Sequence, residues 1–256
     1  GKTERSVYIY KVAKSYGFSF GQEKNKTKPK ALASCADGNE KFPYYRTTLS
    51  RNVGVNGILK SQGRTFENNQ PIGIWNYYDS TGILNRKAEY IKINGKSYIN
   101  QDWFFNKNGD TLKNKGTHFK IVFEKDTIRL NEPIKAKIDL ITPLFKNKNS
   151  NILVIVPKDY STNFNEDFSN INKVSLDTTF NLNLEKEMKN ALGLTTDFGK
   201  SAAFGRYFNS SGKKKFRGIL VEYFYKDSII SDSIKVNRFE NKKYFEKDIF
   251  VMDNIN

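Results

Sequence analysis

The sequence predicts an all-β protein, an N-terminal antiparallel meander of stacked β-hairpin repeats followed by a C-terminal β-sandwich, on three observations. A hairpin unit recurs three times between residues 52 and 119. Beyond it, short stretches of alternating apolar and polar residues are separated by polar turns, the period-2 pattern of half-buried strands. The composition leans on Ile, Phe, Tyr, Asn and Lys, with aromatics at 14%, which favours strands and polar turns over helices.

A chain of 256 residues can bury a core without disulfides or metals, as two ordinary domains or one large one. The expected division is 1–51, an N-terminal strand and basic arm; 52–119, three hairpin repeats; and 120–256, an immunoglobulin-like β-sandwich. Residues 6–13 have the β-branched and aromatic content of a strand that could dock on the first repeat. Residues 22–30 carry Lys24, Lys26, Lys28 and Lys30 with almost no apolar side chain and read as an exposed arm.

The repeat itself is visible in residues 59–66 (LKSQGRTF), 84–91 (LNRKAEYI) and 112–119 (LKNKGTHF), which align without gaps at spacings of 25 and 28. Each segment follows a glycine, Gly57, Gly82 or Gly109, at the place where a hairpin turn needs a positive φ. Aromatic residues, Trp75, Tyr77, Tyr78, Trp103, Phe104 and Phe105, fill the incoming strands. Packing from unit to unit would supply the apolar partner a lone hairpin lacks. Strand alternation pairs Tyr77 with Trp75 and Phe105 with Trp103, and turns Tyr78 and Phe104 the other way.

Residues 71–84 (PIGIWNYYDSTGIL) resemble the variant MORN-type repeat, G-x-W-x-x-Y-x-x-x-G-x-L, common in secreted and lipid-anchored proteins of Bacteroidetes. The third copy departs from the pattern by Asp102 before its Trp, and the first lacks the Trp and Tyr. The resemblance implies an elongated antiparallel sheet used in binding or assembly, without shared catalytic residues. It also implies an address in the periplasm or on the outer-membrane surface, with a lipidated cysteine upstream of Gly1. The implied partner is another envelope protein, such as an outer-membrane barrel complex, or an anionic glycan.

In the C-terminal part, strands are expected at 120–123, 134–141, 151–156, 174–184, 217–225, 228–236 and 244–252. Alternation is plainest at 134–140 (IKAKIDL) and 179–184 (TFNLNL). Residues 184–192 read as one short helix stopped by Gly193. Residues 195–212 read as a long glycine-rich loop, followed directly by Lys213, Lys214 and Lys215.

The search for chemistry mostly excludes. His118 is the only histidine and Cys35 the only cysteine, which removes His-based triads, two-imidazole zinc sites and internal disulfides. The tetrapeptide 32–35 matches a lipoprotein cleavage box by chance, because the preceding decapeptide is polar and basic. Carboxylate pairs such as Glu166 with Asp167, or Asp79 with Glu89, have no distinguishing spacing. The glycine-rich stretch lacks a phosphate-loop signature, and residues 106–110 resemble a calcium loop only loosely. No enzyme, cofactor or metal is expected.

The net charge of +16 divides into +11 over residues 1–117 and +5 over 118–256, an attraction for polyanions of unspecified kind. Nucleic acid is not the expected partner, since the aromatics are accounted for by packing and no RNA-recognition or OB pattern is present. No apolar run is long enough to cross a membrane as a helix. The candidate binding residues are Trp75, Tyr77, Tyr78, Trp103 and Phe105 on the repeat, with Lys213, Lys214 and Lys215. The functional expectation is a non-enzymatic envelope scaffold, an accessory subunit of an outer-membrane assembly. The alternatives are a binder of anionic glycan or lipopolysaccharide and an antitoxin-like regulatory protein.

Overall fold

The structure, a computed structural model, describes residues 47–158, 162–182, 198–230 and 233–253. The expected strand at 6–13, the basic arm, Cys35 and the helix at 184–192 lie outside the described residues. Within them the chain is all-β: a meander and a two-sheet sandwich, with short 3-10 turns and no α-helix among the described residues.

The meander is one five-stranded antiparallel sheet in chain order: β1 (Thr48–Val53), β2 (Leu59–Phe66), β3 (Gln70–Tyr78), β4 (Leu84–Ile93) and β5 (Lys96–Phe104). Its units meet edge to edge through backbone ladders. The three repeat turns share one geometry. Gly54, Asp79 and Asn106 each donate their N–H to the carbonyl four residues on, at 2.8, 2.9 and 3.0 Å. Gly57, Gly82 and Gly109 each close back on those same residues at 3.0 Å, with φ of 77°, 82° and 83°. Glycine suits this position because an L side chain strains at such a φ.

The third copy diverges after its turn. Val53 pairs with Leu59 and Tyr78 with Leu84, but Phe105 pairs with Thr111, so Leu112 sits one residue past its expected place. A slip of one residue reverses the facing of a strand. Here the second strand fails to form, and an isolated bridge between Asp102 and Thr117 leads into the sandwich. Residues 112–119 are therefore not a third repeat strand; His118 and Phe119 open the sandwich instead. A further hairpin, turned at Asn94 and Gly95 with φ of 47° and 79°, makes β5 the partner of β4.

The sandwich has a three-stranded sheet, order β11-β8-β6, from β6 (His118–Phe123), β8 (Ile134–Thr142) and β11 (Ser201–Arg206). Facing it is a five-stranded sheet, order β10-β9-β12-β13-β7, from β7 (Thr127–Arg129), β9 (Asn151–Pro157), β10 (Leu176–Phe180), β12 (Gly212–Ile230) and β13 (Ser233–Met252). Alternation does the sorting: in β8, Ile134, Ala136, Ile138, Leu140 and Thr142 all point inward. With Ile152, Val154, Phe204, Phe216, Leu220, Phe245 and Ile249 they form the main core. Phe216 lies at its centre, edge-on to Phe123, Phe208 and Phe245.

Two expectations need correction here. The loop expected at 195–212 contains β11, where Ala202 and Phe204 add to the core. The separate strands expected at 217–225, 228–236 and 244–252 are two long ones, 19 and 20 residues, paired rung for rung from Gly212 with Val251 to Ile230 with Ser233.

Candidate functional site

The repeat aromatics do not form a single platform. Trp75 lies opposite Ala88, itself opposite Asp102, whereas Trp103 lies opposite Lys87, one position along. The two tryptophans therefore project from opposite faces of the sheet. Trp75 is only 5% exposed, lies over Gly63 and donates Nε1–H to the Arg64 carbonyl at 2.8 Å. Tyr77 packs on it at 6.2 Å and shares a 2.8 Å hydrogen bond with the Tyr90 hydroxyl. Burial, first, and that bond hold the Tyr77 hydroxyl well above its ordinary range. Tyr78 accepts from the Gln62 amide at 2.9 Å.

On the Trp75 face, the Arg86 guanidinium grips Asp102 with two hydrogen bonds, 2.7 and 3.2 Å, and lies over the rings of Tyr77 and Phe104 at 4.8 and 5.4 Å. On the other face, half-buried Trp103 packs against His118 at 5.8 Å, and Phe105 carries the Lys87 ammonium at 6.0 Å. The predicted basic run also separates. Lys213 is exposed, Lys214 bonds Ser210 Oγ at 2.7 Å, and Lys215 pairs with Glu246 at 2.6 Å and Asp248 at 2.9 Å.

What the fold does bring together is a cleft of about 380 Å³ at the joint of meander and sandwich. It is lined by Ile91, Asn100 and Gln101 of the meander, Phe119 and Ile121 of β6, and Phe168, Tyr244 and Glu246. Asn100, 2% exposed, builds the joint. Its Oδ1 accepts the Tyr244 N–H at 2.7 Å, while its amide donates to the Tyr244 carbonyl at 2.8 Å and to Glu89 Oε2 at 2.7 Å. The Tyr98 hydroxyl donates to the Lys242 carbonyl at 2.7 Å, and its ring meets Tyr244 edge-on at 5.5 Å. The loop over the outer face adds one backbone bond, Asn94 N–H to the Asp167 carbonyl at 3.1 Å.

Below the joint, the inner face of the sandwich ends in a polar layer. Glu222, fully buried, accepts from Leu144 N, Phe145 N and Ser150 Oγ at 2.8–3.1 Å. Lys243, 2% exposed, has no hydrogen bond or ion pair among the described residues. Burial pushes its pKa down to about 8, against a partial upward pull from Asp102, Glu222 and Glu89. His118 is pushed down as well, by burial first and then by Lys243.

The other prominent feature is the end of the β12–β13 hairpin. Only residues 219–223 of β12 pair with β9; past them the hairpin continues as a two-stranded ribbon. Phe224 stacks on Phe239 at 5.1 Å, while Tyr225 and Val236 are each 57% exposed.

The acidic residues weighed in pairs from sequence take separate places. Asp79 is a turn acceptor for Thr81 and Ile83, far in role from Glu89 in the cleft. Glu166 lines the cleft, whereas Asp167 Oδ1 accepts from Ser169 N–H at 3.1 Å. The described residues hold no cluster of metal-ligating side chains. Asn100, Gln101, Tyr244 and Lys243 were not singled out from sequence; an Asn in a strand and a Lys on an apolar face were the signals to notice.

Fold and site define a class, an all-β protein in which a hairpin meander is docked on a sandwich beside an acidic cleft. Compared with known proteins, the chain matches no family model, no curated protein and no solved structure.

Proposed function

We propose that the chain is a non-enzymatic binding and scaffolding protein of the cell envelope, an accessory subunit that docks on an outer-membrane protein assembly. The observation that carries the docking role is the β12–β13 ribbon. Seven rungs, Phe224 to Ile230, extend past the last pairing with β9, about 20 Å of strand at the usual rise. Among the described residues, this stretch of β12 has no paired strand but β13, with the Phe145 ring packed edge-on against Phe224 at its base. Its free backbone edge can accept a strand from a partner, and Tyr225, Val236 and Phe239 offer the apolar side chains that give such pairing affinity and selectivity. The envelope address is supported by the likeness of residues 71–84 to MORN-type repeats of envelope proteins.

The test is a photo-crosslinking amino acid at Tyr225 or Val236, applied to outer-membrane extracts of the source organism. The expected result is one dominant membrane-protein adduct, lost when the ribbon is closed after Tyr225 with an Asn-Gly turn. Adducts confined to soluble proteins, or an adduct indifferent to the shortened ribbon, would refute the reading.

A further inference from the structure

The cleft is acidic on a basic protein. The chain carries a formal net charge of +16, yet Glu89, Glu166 and Glu246 line the cleft against one cation, Lys92. Adding their charged neighbours, Asp167 near Lys92, Lys215, Arg217 and Asp248 around Glu246, and buried Lys243 near Glu89, five carboxylates stand against four cations. At physiological salt, charges beyond about 8 Å are largely screened, so this local surplus decides what enters.

The cations nearest Glu166 and Glu246 are already engaged. The Lys92 ammonium lies over the Phe66 ring at 5.1 Å. Glu246 gives one oxygen to Lys215 at 2.6 Å and the other to Arg217 at 2.5 Å. Glu89 accepts from Asn100 at 2.7 Å and Gln101 at 3.1 Å. Glu166 alone of the three lining carboxylates has no hydrogen bond or ion pair among the described residues. Burial raises its carboxyl above the usual range, with Arg217 pulling the other way.

Around this carboxylate the walls are aromatic and aliphatic: Tyr90, Phe119, Phe168, Tyr244, Ile91 and Ile121. Ring faces attract cations, and an apolar stem on the cation displaces water from the walls. An anion would meet the negative surplus, and a neutral apolar guest would bury Glu166 without a partner. A volume of about 380 Å³ is at the small end for ligand pockets, enough for one side chain or a small amine.

We propose that the cleft binds a monovalent organic cation, an ammonium or guanidinium group on an apolar stem, with Glu166 as its ion partner. This site is separate from the ribbon and does not depend on it. The same chemistry is offered by an Arg or Lys side chain of a peptide and by a free amine.

The experiment is titration of the whole chain at about 0.15 M salt, followed by calorimetry and amide NMR. The probes are acetyl-Gly-Arg-Gly-amide, n-butylguanidinium and, as charge-reversed control, acetyl-Gly-Glu-Gly-amide. Saturable binding of a cationic probe below about 1 mM is expected, with shifts at Gln101, Ile121 and Tyr244. Glu166→Gln, which disturbs no existing bond and should fold normally, weakens it about tenfold or more; the surface control Glu67→Gln leaves it unchanged. A tripeptide preferred about tenfold over butylguanidinium points to a chain-borne side chain, and parity to a free amine; either supports the site. No saturation by either cation at about 10 mM, equal binding of the glutamate peptide, or indifference to Glu166→Gln in a normally folded variant overturns it.

Discussion

Replacing Lys243 with methionine should make this protein more stable at neutral pH, and the gain should shrink as the solution becomes alkaline. Lys243 is 2% exposed at the end of the sandwich core, and the carboxylates near it are already committed. Asp102 is held by Arg86, Glu222 by two backbone N–H groups and Ser150, and Glu89 by Asn100 and Gln101. Its pKa of about 8, against an ordinary 10.5, measures the cost of keeping the ammonium there. Below about pH 8 both folded and unfolded chains are protonated and the folded state bears the full cost, about 3 kcal/mol. Between about pH 8 and 10.5 the folded chain sheds a proton the unfolded chain keeps, so stability rises with pH; above that both are neutral. From about pH 7 to about pH 9.5 the recovery amounts to about 2 kcal/mol.

Urea unfolding of the native chain and of Lys243→Met at several pH values in that range gives the difference directly. Comparing the two cancels other titrations, including those of buried Tyr98 and Tyr244, the latter pushed up to about 12. The expected advantage of the variant is up to about 3 kcal/mol near neutrality, falling by about 2 kcal/mol at the alkaline end. Parallel pH curves for the two proteins would show that Lys243 keeps an ordinary pKa, and the argument from its burial would fail.

Three more predictions follow from close approaches. Gly63→Ala puts a Cβ 2.4 Å from the Trp75 indole and should cost about 2–4 kcal/mol, read by urea unfolding and by altered Trp fluorescence. Gly116→Ala meets the Asp102 carbonyl at 2.2 Å on top of a φ of +72°, whereas Gly57→Ala meets nothing within 4 Å at a φ of +77°. The first should lose several times the roughly 1 kcal/mol expected of the second, by thermal unfolding. Asn100→Asp sets a carboxylate against Glu89 Oε2 and the Tyr244 carbonyl, in place of donors at 2.7 and 2.8 Å. A loss of about 3 kcal/mol or more, and faster amide exchange at Tyr244, are expected.

How far the fold could be read ahead depended on where backbone demands left marks in the residues. The turns at Gly57, Gly82 and Gly109 were legible because positive φ selects glycine, and β8 because its alternation is strict over nine residues. The third repeat misled because the likeness of residues 112–119 to the other copies is one residue out of step with the turn before it. The long hairpin misled for the opposite reason. Its strands carry turn-forming residues within them, Asp227, Ser228, Asn237 and Asn241, while the connection between Ile230 and Ser233 contains no glycine or proline. The cleft was not legible at all, since its lining comes from β3, β4, β5, β6, β13 and the loop before β10. Glu166 drew notice only as one of many acidic residues, because lacking a partner is a property of the folded surroundings.

The way Asn100 meets Tyr244 also decides how the two halves are joined. Toward Tyr244 the carboxamide presents one N–H and its oxygen, as a peptide group does, while its second N–H goes to Glu89, so the edge of β13 is satisfied there by a single imitation rung that cannot propagate into a ladder. The meander sheet and the sandwich are joined by the covalent crossing at residues 105–117, by side-chain bonds from Tyr98, Asn100 and Gln101, and by Ile93 packed on the apolar cluster of Leu153, Phe164 and Ile219. A continuous ladder would have merged them into one sheet; the single rung joins them while each keeps its own hydrogen bonds. The cleft lies against that joint, so any guest seated there would touch meander and sandwich at once.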